Sequence, residues 1–330
     1  MVNAAIVGLG WWGRNIIKLL HGNPKLRIVK AIDVNQDNET IAREHGAEFA
    51  TDFDAALSDP AVEAVILCTP HTLHTDQIVR AAGAKKHVFC EKPLSLSRAA
   101  VERAVAACNA NQVALAVGHE RRFEPPMLEV ARLAKSGALG TLLQIEANFS
   151  QNLFLSLAPD NWRLSGKEAP AGPLTATGIH MLDLSVGLCG PAQRVLATAR
   201  TLGSNLANGD TLSVVVDFKS GATALISAIL ATPFYGRLAV YGSKGWVEVR
   251  DKSHPQDPKG WTLLKCLEAG TVETIDYGPA FAVTDNLEAF ADAAAGKTPY
   301  LVPQEQMIWN IAALEAIVKS AASGNIEVVG

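Results

Sequence analysis

A chain of 330 residues with 48% hydrophobic and 19% charged residues is long enough for two packed domains and too apolar for disorder. Its 29 lysines and arginines against 33 aspartates and glutamates leave a net charge of -4 and no basic stripe, so a nucleic-acid partner has no electrostatic support. The five cysteines, Cys68, Cys90, Cys108, Cys189 and Cys266, are scattered and form no CxxC pair, which argues against a disulfide framework or a zinc site.

The chain opens on the apolar run Ala4 to Val7, which a glycine turn follows at once. That reads as a strand and not as a signal peptide. No apolar run is long enough to span a bilayer, and reduced thiols fit a cytoplasmic protein without a membrane partner. Trp12 to Leu20 predicts a helix with Trp12, Ile16, Ile17 and Leu20 on one stripe. Arg27 to Ile32 is a strand, Thr40 to His45 a polar helix, Phe49 a brief strand and Phe53 to Leu57 a brief helix. Ala61 to Cys68 is a buried strand, Leu73 to Ala82 a helix and His87 to Cys90 a strand. Ser97 offers an N-cap to a helix with Val101, Val105 and Cys108 on one face, and Val113 to Val117 closes the series. Repeated β-α units with continuous apolar strands predict a parallel sheet covered on both faces, an α/β domain over residues 1–120.

The pattern then changes. Arg122 to Lys135 predicts a helix, Leu142 to Phe149 a strand, and Thr175 to Leu188 a helix after a proline-containing polar loop. Strand-like stretches follow at 195–201, 211–218, 222–230, 237–241, 246–249, 261–266 and 272–275, many joined by short turns. Such hairpin signals predict a large, mostly antiparallel sheet in an α+β domain over residues 121–330. Two helices, 286–295 and 304–322, finish the chain, and the last is expected to pack near the first domain.

The strongest local signal is Gly8-Leu9-Gly10-Trp11-Trp12-Gly13, between the first strand and the first helix. Gly8 permits the tight turn, Gly10 leaves room for a pyrophosphate, and Gly13 lets helix and strand pack closely. The N–H groups at the helix start then hold the phosphates. Asp33 ends the second strand, twenty residues after Gly13, where a carboxylate accepts ribose hydroxyls. Val34 and Asn35 follow, with no arginine to receive a 2′-phosphate, so NAD is expected over NADP. Trp11 and Trp12 either line the cofactor cleft or pack as part of the first helix.

Further segments carry a family resemblance. Thr69-Pro70-His71-Thr72-Leu73-His74 follows one strand and Glu91-Lys92-Pro93 the next, both at strand C-terminal ends, where α/β sheets place ligands. Gly118-His119-Glu120-Arg121-Arg122-Phe123, Asn161-Trp162-Arg163 and Gly178-Ile179-His180-Met181-Leu182-Asp183 extend it along the chain. On these residues the chain resembles the glucose–fructose oxidoreductase / inositol dehydrogenase (Gfo/Idh/MocA) family. The resemblance implies an NAD-binding Rossmann domain and a substrate domain, with substrate held between the domains.

It implies that Lys92 lies between nicotinamide and substrate, where an ammonium stabilises developing alkoxide, and that Pro93 is cis. Read alone, a lysine beside a proline is a solvated loop residue. The resemblance assigns His180 as general base or hydroxyl partner, an imidazole being suited to titration near neutral pH. Asp183 shares its helix face, so the alternative is a structural His180–Asp183 pair. Cofactor contacts are expected at Gly8, Gly10, Trp11, Trp12, Gly13, Asp33, Thr69, Pro70, His74, Glu91, Lys92 and Arg163, and substrate contacts at Lys92, Arg122, His180 and Asp183. His74 is alternatively a strand-end residue bonded to backbone, and Arg163 a surface ion pair. One departure matters: many members carry aspartate four residues before the histidine, and this chain has Ala176.

The expected activity is hydride transfer between NAD and a secondary alcohol or ketone, first of all of a sugar or cyclitol. Alternatives are a carboxylated cyclic diol, suggested by Arg121, Arg122 and Arg163, and a non-catalytic NAD-binding sensor or assembly subunit, suggested by Ala176. The strands at 212–218 and 223–230 carry apolar residues at successive positions, so both sheet faces are expected to be apolar. A homo-dimer or homo-tetramer joined through the outer face is the expected assembly.

Overall fold

The computed structural model describes every residue except Ala269. The chain divides into two compact units, Met1–His119 with Val283–Ile308, and Glu120–Ala282 with Trp309–Gly330. In chain order the first run is β1 (Val2–Val7), α1 (Trp11–Leu19), β2 (Leu26–Ile32), α2 (Glu39–Glu44), β3 (Glu48–Ala50) and α3 (Asp54–Leu57). It continues with β4 (Ala64–Leu67), α4 (His74–Gly83), β5 (His87–Cys90), α5 (Arg98–Asn111) and β6 (Leu115–Val117). All six strands pair in parallel in the order β3-β2-β1-β4-β5-β6, so the order reverses between β1 and β4. That is the doubly wound Rossmann arrangement, and its crevice opens where the order reverses. β4 is buried along its whole length, as a strand covered on both faces must be. Ser97 caps α5, its side chain accepting from the Ala100 N–H.

The second unit starts with a 3-10 turn, Glu120–Phe123. The helix expected from Arg122 begins instead at Pro125, because proline fits the first helical position and cannot extend a helix in progress. Its elements are α6 (Pro125–Lys135), β7 (Leu142–Ser150), α7 (Ile179–Cys189), β8 (Ala192–Arg200), β9 (Thr211–Phe218), β10 (Thr223–Ile229) and β11 (Tyr235–Gly242). β12 (Gly245–Asp251), β13 (Trp261–Leu267) and β14 (Thr271–Tyr277) complete the run of hairpins. The chain ends with α8 (Ala282–Ala294), α9 (Gln304–Ser323) and β15 (Glu327–Val328). The nine-stranded sheet runs β14-β13-β12-β11-β7-β10-β9-β8-β15, and among the described residues only β7 and β10 pair in parallel.

α8 belongs to the first unit, together with the first residues of α9, 304–308. Leu287, Phe290 and Ala291 join its core, with the Phe290 ring 5.7 Å from that of Phe89, while Ala313, Leu314 and Ile317 of α9 fill the second core. The expectation of two apolar sheet faces is corrected: the outward positions of β9 and β10 include Thr211, Ser213, Asp217, Thr223 and Ser227. Burial alternates along β9 and β10, as side chains on a pleated strand must. The outward row nevertheless holds three exposed apolar neighbours in register, Leu196, Val215 and Leu225. Among the described residues no helix is long and apolar enough to cross a membrane.

Candidate active site

In the first unit the glycine turn joins β1 to α1 beside the point of reversal. Gly8 has a φ of +92°, which a side chain would strain, and a Cβ there would stand 2.8 Å from the Cys68 carbonyl oxygen. A Cβ on Gly13 would stand 1.9 Å from the Gly8 carbonyl oxygen, so strand and helix meet at contact distance. A Cβ on Gly10 would meet nothing within 4 Å. Gly10 is also the N-cap of α1, which has no side-chain cap, so the first-turn N–H groups face a cradle shaped for an anion. These observations fit a dinucleotide pyrophosphate.

Asp33 stands at the end of β2. Its Oδ2 accepts from the Leu9 N–H at 2.5 Å and its Oδ1 from the Asn35 N–H at 2.8 Å, so the carboxylate braces the glycine turn. Arg14 adds a brace that sequence reading missed, donating to the Leu9 carbonyl at 2.9 Å and to Asn38 Oδ1 at 2.6 Å. Trp11 is exposed, whereas Trp12 packs against the unit's apolar core.

The loops after β4 and β5 hang on one ring. His74 is fully buried, with Nε2 3.0 Å from the Thr69 carbonyl oxygen and Nδ1 2.8 Å from that of Pro93. Both partners are acceptors, so both hydrogen bonds form at once only on a doubly protonated ring; a neutral ring makes one of them. This is the backbone-bonding reading of His74. Thr69 Oγ1 donates to Gln77 Oε1 at 2.6 Å. The Lys92–Pro93 peptide is cis, and Lys92 is half-buried. The Lys92 N–H donates to Glu91 Oε2 at 3.2 Å, and the Glu91 carboxylate fills the space that Gly118 leaves, where a Cβ would stand 2.5 Å from Oε2.

In the second unit α7 carries His180 and is buried nearly all round. A π-helical turn, Leu174–Gly178, runs directly into it. That wider turn offsets Ala176 from the regular i, i+4 alignment with His180, and such turns frequently mark functional sites. His180 is 4% exposed, and its ring lies 5.8 Å from that of Phe149. Its Nδ1 stands 3.8 Å from Glu120 Oε2.

The arginines take partners of their own. Arg122 Nε donates to Asp183 Oδ2 at 2.6 Å and Nη2 to Oδ1 at 3.0 Å, so Asp183 is engaged on both oxygens. Arg121 is fully buried between Glu124 and Asp251, 3.1 Å and 2.6 Å away, with its guanidinium over the Phe149 ring. Burial pushes the Glu124 carboxyl up, Arg121 pulls it down and Asp251 pushes it up again; the outcome is about 8. Burial and Arg121 push the neighbouring His254 down. Arg163 stacks on Trp162, its guanidinium carbon 4.2 Å from the ring centroid. The i,i+3 spacing of Arg121 and Glu124 was a usable signal for the first of these pairs. Asp251 and Asp183, 130 and 61 residues away, had none.

Residues 2–119 match the family model of oxidoreductases with an NAD-binding Rossmann fold, and residues 127–248 match the Gfo/Idh/MocA C-terminal domain. An inositol 2-dehydrogenase of Rhizobium meliloti is 30% identical over 259 residues, 76% of each chain. The chain belongs to the Gfo/Idh/MocA oxidoreductase family. A D-xylose 1-dehydrogenase (NADP+) of Haloarcula marismortui is 25% identical over 97% of this chain and 91% of its own. The aldose-aldose oxidoreductase of Caulobacter crescentus, solved with glycerol, superposes with a TM-score of 0.87 at 26% identity, covering 99% of both chains. The chain is thus an enzyme of the oxidoreductase class.

Proposed function

We propose that this oxidoreductase uses NAD to oxidise a secondary hydroxyl of a neutral sugar or cyclitol, or to reduce the matching ketone. One observation carries this reading: an anion cradle at the sheet's point of reversal, with Asp33 beside it and Lys92 on the loop after β5. Gly8, Gly10 and Gly13 would hold the pyrophosphate, and Asp33 the ribose. Bound there, NAD supplies the hydride acceptor. The Lys92 ammonium stabilises charge on the reacting oxygen, and the His180 imidazole takes the hydroxyl proton. Asp33 repels a 2′-phosphate, and Val34 and Asn35 bring no cation to hold one, which supports NAD.

The arginines support a neutral substrate. Of the three that suggest a carboxylated diol, Arg121 is matched by Asp251 and Arg122 by Asp183, both buried, and Arg163 stacks on Trp162. Drawing Arg121 or Arg122 to a substrate anion strands a buried charge, at a cost of about 3–5 kcal/mol. Thr69, Pro70, His74 and Glu91 then support the site from behind, and Asp183 and Arg122 brace α7. A homo-oligomer is proposed through the outer sheet face, where Leu196, Val215 and Leu225 lie side by side beside the Arg237–Glu146 and Arg237–Glu248 pairs.

The test is a panel of aldoses, inositols and their carboxylated analogues with NAD and with NADP, followed at the nicotinamide absorbance. Turnover of a neutral polyol with NAD, lowered by two or more orders of magnitude in Lys92→Ala, is expected. Near-normal turnover in that variant refutes the role of Lys92. Light scattering checks the assembly: a monomer across micromolar concentrations refutes it.

A further inference from the structure

We infer that Glu120 is the positioning residue for His180, its carboxylate holding the imidazole from the Nδ1 side and matching the charge the ring acquires. The inference rests on the proposed role of His180 as proton acceptor. Glu120 Oε2 lies 3.8 Å from His180 Nδ1, and the two side chains are 14% and 4% exposed. That distance is inside ion-pair range and beyond hydrogen-bond range, so the carboxylate acts through its charge; contacts of this kind tighten when substrate binds. Low exposure limits screening by salt.

The backbone of Glu120 is held in place by its neighbours. It opens the turn Glu120–Phe123, and the next two residues fasten that turn. Arg121 ties it to Glu124 and to Asp251 on β12, and Arg122 ties it to Asp183, three residues beyond His180 on α7. The carboxylate and the imidazole are therefore carried on elements pinned to each other, as a preorganised pair requires.

Two other charged groups on neighbouring positions have partners of opposite sign. Asp183, the partner that helix spacing suggests, has both oxygens on Arg122. Phe149 forms an apolar wall at 5.8 Å from His180, and the Arg121 cation and the His254 ring contact that same phenyl ring at 5.1 Å and 5.9 Å. The Arg121 cation is balanced by Asp251. The Ala176 side chain carries no charge. A carboxylate beside Nδ1 favours the tautomer with the proton on Nδ1, so Nε2 is the nitrogen that accepts the hydroxyl proton. The hydroxyl proton then moves to Nε2, the ring becomes imidazolium, and Glu120 offsets the new charge.

Two arms test this. The first needs no substrate: imidazole NMR titration of the labelled protein, with His180→Asn to assign the resonance. Glu120→Gln is expected to lower the His180 midpoint by about one unit or more, the effect of losing a nearby opposite charge. An unchanged midpoint overturns the inference. If Glu120→Gln does not fold, the same titration of Glu120→Asp decides the matter through a smaller shift in the same direction. The second arm uses whichever polyol the panel identifies. Glu120→Gln should lower kcat at least about tenfold with little change in KM, and should move the acidic limb of the pH profile to lower pH. In a His180→Ala background it should add nothing, and an equal loss in both backgrounds overturns the inference. A wild-type protein that turns over no member of the panel defeats the dehydrogenase reading instead, and the titration still judges Glu120.

Discussion

Gly187 lies four residues after Asp183 on α7, and the Arg122 guanidinium crosses it. A Cβ there would stand 1.9 Å from Arg122 Nη1, 2.3 Å from Cζ and 2.5 Å from Nη2. The whole guanidinium collides, so Gly187→Ala must drive it off Asp183. The pair that breaks is buried, at 14% and 2% exposure. Stranding one charge of such a pair costs about 3–5 kcal/mol. Helix propensity acts in the opposite direction, since alanine in a helix interior is better than glycine by about 1 kcal/mol. The net cost is then about 2–4 kcal/mol, a fall in melting temperature of at least roughly 4 °C for a unit of this size. Circular dichroism melts measure it, and Asp183→Asn in the same background should recover part of the loss by removing the stranded charge. The sign decides the matter: if Gly187→Ala melts at or above the wild-type temperature, propensity has won and the steric reasoning fails.

Three further outcomes are expected. The Glu124 carboxyl stands at about 8 in the folded chain against 4.5 ordinarily, so the folded state holds the extra proton and stability declines as pH rises between those values. Urea midpoints of Glu124→Gln should lose that slope, and an unchanged slope counts against the assignment. For Asp210, burial pushes the carboxyl up, but donors from Leu202, Ser204, Thr211 and Gly203 outweigh it and bring it to about 2. Its stabilisation is present above the ordinary carboxylate range and lost as pH falls towards 2, so Asp210→Asn should be destabilised near neutrality and converge on the wild type in acid. Asp33→Ser with Val34→Arg should shift the ratio of NAD to NADP dissociation constants towards NADP; equal affinities in the unmodified protein would refute the cofactor assignment.

The first unit was readable because its signals are local. A buried strand, a glycine turn and a helix with one apolar stripe fit within twenty residues, and Asp33 stands at a fixed spacing from them. The return of α8 was not readable, because Leu287 and Phe290 state that a face is apolar and not which core it meets. β9 and β10 misled for a similar reason: Val214, Val215 and Val216 are equally apolar, yet the pleat buries the outer two and exposes the middle one. The π-helical turn before α7 escaped a reading built on a period of 3.6. Glu120 escaped because its partner lies sixty residues on, and only the chain's path brings the two together. Charge patterns in sequence name the ions and leave their pairing open; Arg121 and Arg122 read as anion receptors until Asp251 and Asp183 were seen beside them.

Much of the construction around Lys92 is done by residues that perform no chemistry. His74 ties the loop after β5 to the loop after β4, and Thr75 and Ser95 add a hydroxyl contact at 2.9 Å between α4 and the segment after Pro93. Gly118 makes room for the Glu91 carboxylate, which in turn receives the Lys92 N–H. A solvated surface lysine needs none of this, since its ammonium is held by water on a flexible stem. A lysine that must meet a developing alkoxide does need it, because electrostatic stabilisation is largest when the charged group is in place before the reaction begins. The number of anchors on the seven-residue loop 91–97 is therefore the physical reason to favour the catalytic reading of Lys92 over the solvated one.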